Sequence, residues 1–276
     1  MKAALYVVPT PIGNIGDMTL RSVEVLQAVD VIAAEDTRHS RTLLNHYQIT
    51  TPVISFHEHS GESAAVALAQ RVAQGERIAL ISDAGTPLVS DPGYQLVRAV
   101  QSLGMSVVPL PGPCAAITAL SAAGLPTHSF QFLGFLPPKQ SARRNRLEAL
   151  QSSESTIILY EAPHRILDLL NDIEDVLGAA REVCIARELT KTFETIRRDS
   201  VTAIRDWVRE DPNQQRGEFV VMIAAEVHKA KGVSNEALNL LRALAGELPP
   251  RKAAQLVADH YGLKSRDLYQ TLISRP

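Results

Sequence analysis

The chain has 276 residues, a formal net charge of −2, and 45% hydrophobic against 21% charged residues. That balance excludes a disordered or fibrous chain and leaves room for one large or two medium globular domains. No apolar run approaches the ~20 residues of a membrane helix, and the start Met1-Lys2-Ala3-Ala4-Leu5-Tyr6 has no signal-peptide h-region. Cys114 and Cys184 lie in apolar surroundings and read as small core residues of a cytoplasmic protein rather than as a disulfide.

The run Leu5–Val8 predicts a first strand, ended by Pro9-Thr10-Pro11-Ile12-Gly13-Asn14, where two prolines and a glycine forbid regular pairing. Asp17 and Thr19 are candidate caps for a helix through Leu20, Val23 and Leu26. Val31–Ala34 is the second strand and runs into Glu35-Asp36-Thr37-Arg38. A helix around Thr42–Tyr47, a strand at Val53–Phe56 and a helix over Glu62–Ala73 follow. The stretch Ile78–Gly93, IALISDAGTPLVSDPG, reads as a buried strand, a turn at Asp83–Pro87, and a helix beginning at Asp91-Pro92-Gly93. Its helix spans Tyr94–Leu103, the fifth strand Ser106–Leu110, and Pro111-Gly112-Pro113 leads to an alanine-rich helix over Cys114–Ala123. Small side chains on that helix let another layer approach closely. Strands alternating with helices at this spacing mean βαβ units and a mostly parallel sheet.

Gly124-Leu125-Pro126 marks a domain boundary, after which the α/β pattern restarts. Strands are predicted at Phe130–Phe135, Thr156–Tyr160, Glu182–Ala186 and Phe219–Ala224, and helices at Arg143–Gln151, His164–Leu177 and Val201–Arg209. Beyond Lys231-Gly232 the composition is helical only. Asn235–Ala245 is amphipathic, Pro250 opens a helix reaching Tyr261, and Ser265 caps a last one. Ala258, Tyr261, Gly262, Leu263 and Leu268 fall at helix-turn-helix spacing. The expected domains are 1–126 and 127–228, both α/β, and a helical tail over 229–276.

Neither GxGxxG, GxxxxGK[ST] nor GxSxG occurs at a strand end, which removes the main support for dinucleotide, P-loop and hydrolase chemistry. His57 and His59 flank Glu58, but no further ligands complete a metal site, so no metal is expected. What remains is a series of loops at carboxyl ends of predicted strands, where open α/β sheets bind ligands. The segment Pro137–Leu147 is basic, with Lys139, Arg143, Arg144 and Arg146, and the tail carries Arg251, Lys252, Lys264, Arg266 and Arg275. Such patches suit phosphate contacts; a solvated helix face is the plainer reading of each.

The ordered motifs VPTPIGN (Val8–Asn14), AAEDTR (Ala33–Arg38), SDAGTPLVSDPG (Ser82–Gly93), PLPGPCAAITALSAAGLP (Pro109–Pro126), GFLPPK (Gly134–Lys139), YEAPHR (Tyr160–Arg165), ARELTK (Ala186–Lys191) and GEFVVMI (Gly217–Ile223) span essentially the whole chain. Together they resemble the tetrapyrrole-methylase-like, class III S-adenosylmethionine-dependent methyltransferases. Within these, they are similar to the bacterial small-subunit (16S) ribosomal RNA cytidine 2′-O-methyltransferases. The resemblance implies a homodimer with S-adenosylmethionine between two α/β domains, acting on ribosomal RNA, presented in the assembled small subunit. It puts cofactor contacts on Pro11, Gly13, Asp83, Ala84, Gly85, Thr86, Val89, Ala115 and Ala116, and on Tyr160 and Glu161. Catalytic candidates on the remaining loops are Glu35, Asp36, Arg38, Glu188 and Lys191; a carboxylate base and an oxygen stabilised by a cation both fit the chemistry. Lys139, Arg143, Arg144, Arg146, Arg165 and Arg187 are the expected substrate contacts. A small-molecule substrate such as a tetrapyrrole, and an RNA-binding assembly factor without catalysis, are the competing readings.

Overall fold

Short β-branched runs bounded by glycine and proline form ten strands among the described residues. The computed structural model describes residues 1–57, 60–226 and 234–273. Glu58 and His59, the Lys231-Gly232 junction and Arg275 lie outside them. Residues 1–226 form one compact unit and residues 227–276 a second.

In the first unit, β1 (Ala4–Val7), β2 (Val31–Ala34), β3 (Val53–Ser55), β4 (Arg77–Ile81) and β5 (Val107–Pro109) build a parallel sheet in the order β3-β2-β4-β1-β5. Successive strand residues face opposite layers. Tyr6, Ile32, Ala79 and Ile81 pack towards α1 (Leu20–Ala28) and α2 (Thr37–His46). Leu5, Ala33, Ile78 and Leu80 pack towards α3 (Gly61–Ala73) and α4 (Tyr94–Ser102). The connection leaving β1 runs to β2 and that leaving β4 runs to β5, towards opposite edges of the sheet. The carboxyl ends of these two central strands are therefore its switch point.

The second sheet has the order β6-β7-β10-β8-β9, from β6 (Phe130–Phe135), β7 (Thr156–Glu161), β8 (Glu182–Arg187), β9 (Thr195–Ser200) and β10 (Phe219–Ile223). Only the β6–β7 pair is parallel. β9 is absent from the sequence reading, because TIRRDS alternates Ile196 with charged residues and carries no apolar run. It is a charged edge strand, a common guard against edge-to-edge pairing. One face, with Ile157, Leu159, Val183, Ile185 and Val221, packs on α6 (Gln140–Glu148), α7 (Ile166–Leu177) and α8 (Val201–Glu210). The other, with Ile158, Cys184, Ala186, Val220 and Met222, packs on Ala116, Ala119 and Leu120 of α5 (Ala115–Ala122). The layer that the small residues of α5 admit is thus the second sheet.

Capping explains where two helices start, α2 earlier than expected and α4 at Tyr94 as expected. α2 begins at Thr37 because the Asp36 carboxylate accepts from the N–H groups of Arg38 (2.7 Å) and His39 (3.3 Å). α4 begins behind Gly93, at φ +132°, so Asp91 stays in the preceding loop and caps nothing.

The basic segment folds inwards. Arg143 is 3% exposed, and its Nε donates to Asp172 Oδ2 at 2.6 Å; Arg144 Nε reaches Asp172 Oδ1 at 2.6 Å, and its Nη2 reaches Asp175. Burial opposes ionisation of Asp172, but Arg144, Arg143 and Gln140 hold its pKa below the usual carboxylate range. Arg143 and Arg144 are thus ion-paired with α7, while Lys139 and Arg146 are exposed. The acids lie about thirty positions downstream, too far along the chain for local charge patterning to reveal.

The second unit has its own small core. α9 (Asn235–Glu247), α10 (Pro250–Tyr261) and α11 (Ser265–Ile273) enclose Ala237, Leu241, Ala253, Ala254, Val257 and Leu268. Gly262 closes α10 in the left-handed region, φ +64°. Arg251, Lys252, Lys264 and Arg266 are exposed.

Asp172→Ala leaves Arg143 as a buried, uncompensated charge, and should cost about 3–5 kcal/mol of stability. Denaturant unfolding of the variant, compared with an exposed control such as Asp175→Ala, measures it.

Candidate functional site

The loops leaving β1 and β4 are clasped together at the switch point. Thr10 and Gly85 exchange backbone hydrogen bonds of 2.9 and 3.0 Å, and the Thr86 hydroxyl donates to Pro113 O at 2.8 Å. Gly85 sits at φ +80°, and a Cβ there would meet Ile12 Cγ2 at 3.3 Å. Its backbone conformation is what calls for glycine.

Across from these loops stands the second sheet, and a cavity of about 360 Å³ lies between. That is within the range of small-molecule sites. Ala84, Gly85, Thr86, Val89 and Ala115 line it from the first sheet's loops and the start of α5; Tyr160 and Glu161 line it from β7. Seven of the expected cofactor residues therefore share one cavity. The other four stand behind its wall. Pro11 adjoins the lining residue Ile12, and Ala116 N–H donates to the Tyr160 hydroxyl at 3.2 Å. A Cβ on Gly13 would lie 2.6 Å from Lys191 Cγ, so this glycine lets the β1 loop meet the loop after β8. Asp83 faces the β2 loop, where its Oδ1 accepts from Asp36 N–H at 3.1 Å.

Glu161 supplies the strongest polar feature of the cavity. It is 2% exposed; its Oε1 accepts Ala162 N–H at 2.8 Å and lies 3.2 Å from Arg165 Nε. Its Oε2 is buried without a hydrogen-bond partner. Burial pushes its pKa up, against the pull of Ala162 N–H and Arg165. An unpartnered buried carboxylate oxygen beside a largely apolar cavity favours a ligand that brings hydrogen-bond donors to this wall. S-adenosylmethionine, with an ammonium group, an exocyclic amine and ribose hydroxyls, fits that requirement. The residues positioned to hold it are Ala84–Thr86, Val89, Ala115, Tyr160 and Glu161.

The catalytic candidates separate into two groups. Glu35 Oε2 accepts Asp83 N–H at 3.4 Å, and Glu35 lines a second cavity of about 540 Å³ that shares Ser90, Asp91 and Phe135 with the first. The Asp36 carboxylate caps α2, and the side chain of Arg38 is 90% exposed. Glu188 and Lys191 lie on the other lobe. Lys191 Nζ is 2.8 Å from both Glu188 Oε1 and Glu218 Oε2. Burial works against both charges, yet the pairing lowers the Glu188 pKa and raises that of Lys191. Glu188 (φ +50°) and Thr190 (φ +66°) adopt left-handed backbone, and Thr190 Oγ1 accepts Asn14 N–H at 3.0 Å, so this strained loop docks on the β1 loop. Of the expected substrate contacts, Arg187 is buried and donates to Phe193 O and Asn213 O, and Arg165 is paired with Glu161 and Leu136 O. Both guanidinium groups are thus engaged by groups of the protein itself.

The sequence reading missed Asp91, taken there for the start of a helix. It lines both cavities, and burial, with the charges of Glu35 and Asp83, lifts its pKa to about 6 against a hydrogen bond from Ser82. Its signal was the SDPG turn, whose glycine rather than its acid carries the cap. Among the described residues, no cluster of three or more His, Cys, Asp or Glu could hold a metal ion.

Folding raises the Asp91 pKa from 3.8 to about 6, so the native state binds the extra proton and loses stability as pH rises through that interval. Asp91→Asn should therefore raise the melting temperature at pH 7 and flatten its decline between about pH 4 and pH 6. Thermal unfolding across that range checks it; an unchanged profile contradicts the assignment.

Residues 4–205 match the family model of Tetrapyrrole (Corrin/Porphyrin) Methylases, and residues 231–275 match the RsmI C-terminal HTH domain. The chain is 51% identical to Ribosomal RNA small subunit methyltransferase I of Escherichia coli O157:H7, covering 96% of this chain and 93% of that one. It is 50% identical to the protein of the same name from Pseudomonas aeruginosa PAO1, covering 98% and 97%. Among solved structures, uroporphyrin-III-C-methyltransferase from Thermus thermophilus superposes with TM-score 0.57 at 19% identity, covering 80% of this chain and 94% of that one. Diphthine synthase superposes with TM-score 0.63 at 13% identity, covering 80% and 90%. These two share the fold. The chain belongs to the tetrapyrrole (corrin/porphyrin) methylase family.

Proposed function

We propose that this protein is an S-adenosylmethionine-dependent methyltransferase that modifies the ribose 2′-hydroxyl of a cytidine in small-subunit ribosomal RNA. The observation that carries the reading is the cavity at the switch point, walled by the Ala84–Thr86 turn, the start of α5 and the buried Glu161. The RNA half of the proposal rests on the relatives named Ribosomal RNA small subunit methyltransferase I, which are similar over nearly the whole chain. Their likeness extends through the helical tail, whose exposed Arg251, Lys252, Lys264 and Arg266 suit phosphates. With Lys139 and Arg146 they form the proposed RNA contacts.

S-adenosylmethionine, when bound, supplies a methyl group on a sulfonium centre. The chain's own task is to align the 2′-oxygen with that methyl and to take up a weakly acidic proton. Glu35 is the proposed acceptor: it lines the cavity adjoining that of the donor and is anchored by Asp83 N–H. The Glu188–Lys191–Glu218 group is proposed to hold the two lobes in register. The division into domains 1–126, 127–228 and 229–276, a homodimer, a cytoplasmic location and action on the assembled small subunit complete the proposal; no described helix is long and apolar enough to cross a membrane.

Purified protein with methyl-labelled S-adenosylmethionine should label small subunits from cells lacking this modification, with label recovered as 2′-O-methylcytidine after nuclease digestion. Label that enters tetrapyrroles but not RNA sinks the proposal, as does donor binding without transfer to either. Glu35→Gln should lower kcat by about 10²–10⁴-fold while calorimetric affinity for S-adenosylmethionine stays within a few-fold. A change confined to donor affinity would remove Glu35 from catalysis.

A further inference from the structure

The second cavity, of about 540 Å³, opens beside the proposed donor site and shares Ser90, Asp91 and Phe135 with it. Its walls are chemically distinctive. Phe56 is buried at 4% exposure, whereas Tyr94 and Phe135 also line the cavity and are 63% and 53% exposed. Both rings present open faces to the cavity, with Arg98 over Tyr94 at 5.7 Å and Tyr160 against the edge of Phe135. They are the groups that hold a base flipped out of its stack, because every base has a π-face. The polar groups of the same cavity include Asp91, Gln95 and His57.

We propose that this second cavity is the pocket for the target base, with Tyr94 and Phe135 stacking on it and the Asp91 carboxylate reading the amino group that distinguishes cytosine from uracil. The inference rests on the methyltransferase reading above and adds the origin of its base specificity. Cytosine offers an N4 amino donor, which a carboxylate accepts; uracil presents a carbonyl oxygen at that position and meets the carboxylate with like polarity. The shared edge formed by Ser90, Asp91 and Phe135 makes the geometry coherent. A nucleotide whose base lies in the second cavity keeps its ribose within reach of the donor cavity, because the two cavities adjoin. Phe135 is also held in place, edge-on to Tyr160 of the donor cavity with ring centroids 5.8 Å apart. Asp91 is fixed in turn by the loop that Gly93 closes, where a Cβ would strike Leu80 Cδ2 at 2.7 Å.

The test compares methyl transfer to unmodified small subunits with transfer to subunits in which uridine replaces the target cytidine. Wild type should prefer cytidine by roughly ten-fold to a hundred-fold. Asp91→Ala should collapse that preference to near unity, a change in the ratio between two substrates that altered affinity for S-adenosylmethionine cannot by itself produce. Tyr94→Ala removes an exposed ring and leaves the core intact; it should raise KM about ten-fold with the cytidine preference retained. Equal preference in wild type and Asp91→Ala, or an unchanged KM in Tyr94→Ala, overturns the assignment even though methyl transfer itself persists. Absence of any transfer by wild type is failure of the function instead. The pocket is then judged by saturation-transfer NMR with cytidine and uridine monophosphates. Cytidine-selective signals that weaken in Tyr94→Ala support the pocket, and their absence in wild type refutes it.

Discussion

The packing of α5 against the second sheet is the constraint on which the molecule depends. Strands β7, β8 and β10 bury both faces, so half of their side chains need a partner on the side away from α6, α7 and α8. Ala116, Ala119 and Leu120 provide it, and two alanines let the helix lie close to the strands. Because α5 is reached directly from β5, this contact brings the second sheet to the carboxyl edge of the first. The start of the same helix, at Ala115, is a wall of the donor cavity. Packing and ligand geometry are thus set by one apolar interface, and no large change in α5 would leave the cavity untouched.

Around that interface the loops are held at specific points rather than by general compaction. Gly13 admits Lys191, Gly112 admits Pro9, and Gly217 leaves room for the Glu188 side chain, which a Cβ would strike. Each glycine permits one loop to cross close to another. The charged groups there are paired across elements, with Lys191 between Glu188 and Glu218, and Arg165 beside Glu161. Such pairs contribute modestly to stability but fix orientation, since breaking one leaves a partly buried charge alone. The acids left without strong cationic partners, Asp91 and one oxygen of Glu161, are found at the cavities. That contrast is the electrostatic signature of a site.

The same contrast explains how far the sequence could be read. Strand and helix placements in the first lobe were legible because buried parallel strands are short apolar runs and their ends are marked by proline and glycine. The motif series also pointed to the Ala84–Thr86 turn, Ala115, Tyr160 and Glu161, which meet in one cavity. Roles that depend on a distant partner were not legible. Arg143 and Arg144 looked like a solvated clamp until Asp172 and Asp175 were brought beside them by α6 packing on α7. Asp36 looked reactive, and its carboxylate is engaged by two helix N–H groups. β9 was invisible because a charged edge strand has no apolar period.

Local chemistry along the chain, then, determined the strand-end loops, the small-residue helix and the helical tail, because propensity, turn residues and periodicity act over a few positions, while the ligand came from the resemblance of the motifs to a family. The tertiary structure alone decided which of those loops share a cavity, which arginines are buried in ion pairs, and that Asp91 rather than Asp36 stands open to both cavities. Those outcomes depend on long-range packing, in which residues 29 to 176 positions apart become neighbours. Burial and neighbouring charge then assign each ionisable group its state, and neither is written in the residue itself.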